Sequence, residues 1–90
     1  MWDDEFEWDD RKAERNLRKH GVSFEHARAA FHDPDSIDED EPDPHEKRFR
    51  RLCRLNRDVF VVVYTERGTR ARIISARVAT KHEQRNYFEK

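Results

Sequence analysis

Ninety residues, 34% hydrophobic and 43% charged, bound the chain to one domain with a core near the lower limit for unaided stability. No stretch has the length and apolarity of a secretory h-region or a membrane span, which sets the membrane classes aside. The net charge of -1 conceals an asymmetry, since residues 1–46 carry 16 acidic and 6 basic side chains and residues 47–90 carry 4 and 13. A basic half of this kind suits a phosphate-bearing or acidic partner, and equally suits an acidic half folded against it; charge alone does not choose. The lone Cys53 can form no internal disulfide, which fits a reducing cytosol, and reads as a small strand residue rather than a reactive thiol.

Phe6 and Trp8 alternate with acids, the pattern of a short edge strand with one buried face. Asp9 or Asp10 can cap a helix through Arg11 to His20. Ala13 and Leu17 give that helix a narrow apolar stripe, Lys19 and His20 suit its negative end, and Gly21 can stop it. A second helix opens at Ser23, with Val22 stapling back on Ala27 and a core-facing stripe of Phe24, Ala27 and Phe31. Asp33-Pro34 ends it.

Residues 33–46 hold eight acids, three prolines and no Lys or Arg. The composition predicts a mobile acidic loop, with a short irregular edge strand around Ile37 as the alternative. Asp33, Asp35, Asp38 and Asp40 could offer oxygen ligands, but Ile37 and Asp38 break the calcium-loop pattern, so a solvated loop is preferred to a metal site. Beyond it, Phe49, Arg51, Cys53 and Leu55 alternate with Arg50, Leu52 and Arg54 as a strand. Val59 to Tyr64 is the unbroken apolar run, rich in β-branched residues and suited to burial on both faces. Glu66 to Thr69, with its Gly68, makes the turn into a strand carrying Arg70, Arg72 and Arg77. Thr80 and Glu83 form a capping box for a terminal helix that carries Arg85 and Tyr87. The sum is an α+β domain: short N-terminal strand, two helices, three-stranded antiparallel meander and C-terminal helix, with the helices on one sheet face.

Nucleotide-phosphate and hydrolase motifs are absent, and the five histidines (20, 26, 32, 45 and 82) lack metal-ligand spacing. Arginine beside a few proton-transfer groups remains. Cleaving RNA without metal needs a base for the 2′-OH, cations for the charge that builds on phosphate, and an acid for the leaving oxygen. Tyr64, Glu66, Arg67, Arg70, Arg72 and Arg77 cluster along the hairpin, and a three-residue loop would set Tyr64 opposite Arg72 and Glu66 opposite Arg70. A two-residue loop would separate them, and a cross-strand salt-bridge ladder explains the same residues without catalysis. His20 is the other candidate base, its plain alternative being a helix-end histidine set against the dipole.

Taken together these residues resemble the BrnT toxin family. Phe6-Glu7-Trp8-Asp9, Lys12, Asn16, Lys19 to Phe24, Ala27, Phe31 and Asp33-Pro34 resemble its opening signature. Val61 to Gly68, Arg72 to Arg77, Ala79-Thr80, Glu83, Arg85 and Tyr87 resemble its closing half. The resemblance implies a cytoplasmic bacterial ribonuclease with a RelE-like fold, needing no cofactor, that blocks translation. It implies a BrnA-like ribbon-helix-helix antitoxin as partner, with operator DNA reached only through that antitoxin. It implies catalytic roles for His20, Glu66, Arg67, Arg72 and Arg77, and substrate contacts from Tyr64, Arg70, Arg85 and Tyr87. Two departures stand out: Val78 where another basic residue is common, and the acidity of residues 35–46. The rival reading is a catalytically inactive relative acting as co-repressor of a DNA-binding antitoxin.

Overall fold

The computed structural model describes residues 1–90. The elements run β1 (Phe6–Glu7), α1 (Asp10–His20), α2 (Phe24–Phe31), β2 (Ile37–Glu41), β3 (Arg48–Leu55), β4 (Asp58–Arg67), β5 (Arg70–Val78) and α3 (Lys81–Phe88). They build one mixed five-stranded sheet in the order β1-β5-β4-β3-β2. β1 runs parallel to β5, and every other neighbouring pair is antiparallel.

The helix boundaries follow local chemistry. The Asp9 carboxylate accepts from the amides of Arg11 and Lys12, satisfying two of the free N–H groups that open α1. Gly21 closes that helix at φ 71, in the left-handed region that a side chain disfavours. Ser23 caps α2, and the reciprocal Thr80–Glu83 box opens α3.

Three expectations give way. The acidic segment is not a loop throughout: the alternative of an edge strand at Ile37 is the one formed, with Ile37–Glu41 paired in regular register with Arg48–Leu52. Its acids stand opposite arginines, with Asp38 facing Arg51, Glu39 facing Arg50 and Glu41 facing Arg48, so charge complementarity between strands supplies what apolar content does not. The antiparallel run therefore has four strands rather than three. The helices are not confined to one face. Phe24, Ala27 and Ala30 of α2 pack with Phe6, Trp8, Val22, Cys53, Phe60, Val62, Ile73 and Ala76 on what is here called the inner face. Tyr87 of α3 packs with Leu52, Val59, Val61, Ala79 and Ile37 on the outer face. Val59 to Val62 is buried on both sides, as its composition requires.

The third correction concerns α1. Leu17 is 49% exposed, and the residue that fastens the helix is polar: Asn16, 7% exposed. Its amide donates to the carbonyls of Val22 (2.9 Å) and Ala76 (2.8 Å), and its oxygen accepts from the Ala76 amide (3.1 Å). β1 covers only Ala71 and Arg72 of the outer edge of β5. Asn16 stands in for a neighbouring strand beyond that point, satisfying both backbone groups of Ala76.

Cys53 is fully buried, and burial pushes its thiol up to about 12. Asn16→Ala should lower unfolding free energy by at least about 2 kcal/mol, because three buried backbone groups lose their partner. Urea denaturation measures it, and an unchanged midpoint would show that α1 docks without this amide.

Candidate active site

The β4–β5 hairpin closes on a two-residue turn, Gly68-Thr69, with Arg67 opposite Arg70. Gly68 supplies the positive φ of 60 that such a turn needs. Tyr64 therefore opposes Ile73 rather than Arg72, and Glu66 opposes Ala71 rather than Arg70. Of the two registers open to the sequence, the two-residue turn is the one formed, and it separates these pairs as that register implies.

A bulge follows. Val63 pairs with Ser75 and Tyr64 with Ile73, which leaves Ile74 as an extra residue in β5. In a regular strand, side chains an odd number of positions apart point to opposite faces. Arg72 and Arg77 would then diverge. The bulge changes the parity, so that Arg72 sits opposite Thr65 and Arg77 opposite Val61, residues of one face of β4. Ile73 and Ala76 are correspondingly both buried on the inner side.

The outer face thus gathers arginines in cross-strand rows. Glu7, Arg72, Thr65, Arg48 and Glu41 form one row from β1 to β2; Ser75, Val63, Arg50 and Glu39 form the next. Each guanidinium has a carboxylate. Arg72 bonds Glu7 at 2.7 Å, Arg48 bonds Glu46 at 2.8 Å, and Arg50 bonds Glu39 at 3.2 Å and Glu41 at 3.1 Å. Arg67 approaches Glu46 at 3.6 Å with its side chain half exposed. Arg77 grips both oxygens of Glu83, at 2.7 and 2.9 Å, while Glu83 also accepts from the Thr80 amide. The Arg77 guanidinium, followed by the Thr80 amide, holds the Glu83 carboxyl down at about 2 despite partial burial. Residues 39–46, expected to be solvated, supply much of this neutralising charge.

The expected site residues divide between surfaces. Arg67, Arg72 and Arg77 belong to the outer face. His20, at the end of α1, lines a recess at the β5 edge with Ile74 and Ser75, which lie between Arg72 and Arg77 along the strand. Tyr64 and Glu66 instead line a cleft of about 600 Å³ on the inner side, with Arg51, Asp38 and His32, while Arg70, opposite Arg67, reaches both this cleft and a recess shared with Glu7 and Arg72. Arg51 and Asp38 are locked together there by bonds of 2.8 and 2.9 Å. The Tyr64 hydroxyl donates to Asp38 at 3.0 Å, and burial pushes that phenol up to about 12. The Arg51 fork holds the Asp38 carboxyl below its ordinary range. With Glu5, Asp33, Asp38 and Glu66 around it, the cleft has more carboxylates than its two arginines offset, which opposes a polyanion. Tyr87 is buried and its hydroxyl donates to Asp33, whereas Arg85 stands exposed on α3.

Sequence reasoning passed over Arg48, Arg50 and Glu7 as site residues. The only available signal was alternation in β3, since their convergence depends on pairing partners distant in the chain.

Comparison with known families matches the chain over residues 8–83 to the model described as the ribonuclease toxin, BrnT, of type II toxin–antitoxin systems. The chain belongs to that family. No curated protein matches it.

The Glu83–Arg77 pair carries a pH signature. Glu83 holds a proton more weakly folded, near 2, than at its ordinary 4.5. Its contribution is complete above about 4.5 and is lost as pH falls toward 2, because the unfolded chain then binds more protons. Glu83→Gln should flatten the acid limb of a stability-against-pH curve over that window, and an acid limb identical to the parent's would contradict the pairing.

Proposed function

We propose that this BrnT-family chain is a metal-independent endoribonuclease acting as one RelE-like domain in the bacterial cytosol. It cleaves RNA, blocks translation, and is neutralised by a BrnA-like ribbon-helix-helix antitoxin through which alone it meets operator DNA. The carrying observation is the bulge at Ile74, which brings Arg72 and Arg77 to one face of β5 with His20 beside the intervening residues.

The chemistry follows from those three side chains. His20 takes the proton of a ribose 2′-OH, and the freed oxygen attacks the adjacent phosphorus. Negative charge grows on the non-bridging oxygens as the pentacoordinate state forms. Arg72 and Arg77 stabilise that charge, and each arrives already oriented, Arg72 by Glu7 and Arg77 by the fork on Glu83. The protonated imidazole then returns its proton to the departing 5′ oxygen, leaving a cyclic 2′,3′-phosphate and a 5′-hydroxyl. His20 is preferred to Glu66 as base because Glu66 lines the inner cleft, across the sheet from both arginines. Arg67 and Arg85 are exposed, and Arg67 shares the outer face with Arg72 and Arg77.

One observation favours the second reading, an inactive relative serving as co-repressor: all five outer-face arginines are already paired with carboxylates. The two readings separate in a bacterial host, where production of the protein without its antitoxin should arrest growth if it cleaves RNA.

Purified protein should cleave RNA in EDTA. Arg72→Ala and Arg77→Ala should each abolish cleavage with an unchanged far-ultraviolet circular dichroism spectrum, and His20→Gln should slow it about 10²–10⁴-fold. Glu66→Gln should leave the rate near the parent's. Undiminished cleavage by both folded arginine variants would reject the assignment.

A further inference from the structure

The outer-face arginines are matched to carboxylates, yet one run of cations is not. Arg11, Lys12, Arg15, Arg18 and Lys19 of α1 are all exposed, and no carboxylate forms a salt bridge with any of them. The helix holds only two acids, Asp10 and Glu14, and Asp10 is engaged by the amino terminus. Lys12, Arg15 and Lys19 recur at the spacing of one helix face, and they line the recess that also holds His20, Ile74 and Ser75. From Lys12 to Lys19 the helix rises about 10 Å. The exposed apolar Leu17 lies elsewhere, beside Val78 and Phe60.

We propose that this α1 face is a docking track for the sugar–phosphate backbone of single-stranded RNA, delivering it lengthwise to His20 and the β5 arginines. The identity of the partner as RNA rests on the ribonuclease reading above. Its chemistry is otherwise read from the surface. A row of unmatched, flexible cations without an apolar or aromatic centre suits a repeating anion better than a folded protein, whose interfaces centre on buried apolar anchors. The contrast with the sheet decides the order of events. An approaching polyanion meets full positive charge on α1, whereas on the sheet it must displace or share a carboxylate at every arginine. Lys12 and Lys19 bind the substrate on either side of Asn16, whose bonds to Ala76 hold the helix at a fixed position along β5.

The test measures binding of a 2′-O-methyl oligoribonucleotide, which lacks the attacking hydroxyl, by fluorescence anisotropy across a salt series. Three proteins are compared: the parent, Lys12→Gln/Lys19→Gln, and the charge-matched Arg57→Gln/Lys81→Gln. Losing two single-strand phosphate contacts should reduce the slope of log K against log salt by about 1.4 and weaken low-salt binding roughly tenfold. The Arg57/Lys81 double variant should keep the parent slope. With cleavable RNA, Lys12→Gln/Lys19→Gln should raise KM and leave kcat unchanged. Equal slopes and affinities for the two double variants would overturn the track, as would a parent that binds no RNA. Retained RNA binding with weakened capture of the antitoxin would assign the face to protein and overturn it likewise. Track-dependent binding without cleavage by the parent would instead reject the ribonuclease reading while the track stands.

Discussion

The buried amide of Asn16 is the polar clamp that fastens α1 to the sheet. It answers both backbone groups of Ala76 and the carbonyl of Val22, so it ties α1, the α1–α2 turn and the uncovered edge of β5 at once. A carboxylate could not donate, and an aliphatic side chain could satisfy none of the three. Because Ala76 lies two residues past Ile74, the clamp also fixes β5 just beyond its bulge. The placement of His20 beside the strand and the shared face of Arg72 and Arg77 both follow from that local arrangement.

Charge organises the sheet as much as apolar burial does. β2 has a single apolar residue, Ile37, and pairs because its acids face the arginines of β3. Exposed ion pairs of this kind contribute little individually, about 0–1 kcal/mol each. Their number, and the matching of rows across the strands, makes the acidic first half a fitted cover for the basic second half. An outer edge strand carrying four consecutive acids also discourages pairing with another sheet.

How much of this could be read from the residues depended on how local the determinant was. Asp9, Ser23 and the Thr80–Glu83 box declare helix starts within four residues, and the Val59–Tyr64 run declares a central strand. The bulge at Ile74 has no such signature: no glycine or proline marks it, and nothing in Arg-Ile-Ile-Ser-Ala-Arg betrays that its parity changes. β2 was legible only as the alternative to a loop for a related reason, since its partner strand, not its own composition, makes it ordered. Leu17 misled in the opposite direction. An aliphatic residue at a stripe position faces solvent, while the neighbouring Asn16 is taken inside because the edge of β5 offers it a complete set of bonds. The resemblance to BrnT toxins carried the family correctly from dispersed blocks. It could not say on which side of the sheet each block would lie.

Cys53 gives the molecule a reporter of its own motions. Its sulfur is sealed between the sheet and α2, and the burial that raises its proton affinity leaves almost no thiolate to react. A thiol reagent can modify the chain only when the inner layer parts from the sheet. The rate of alkylation in native buffer therefore counts openings of the fold, and does so without any added label.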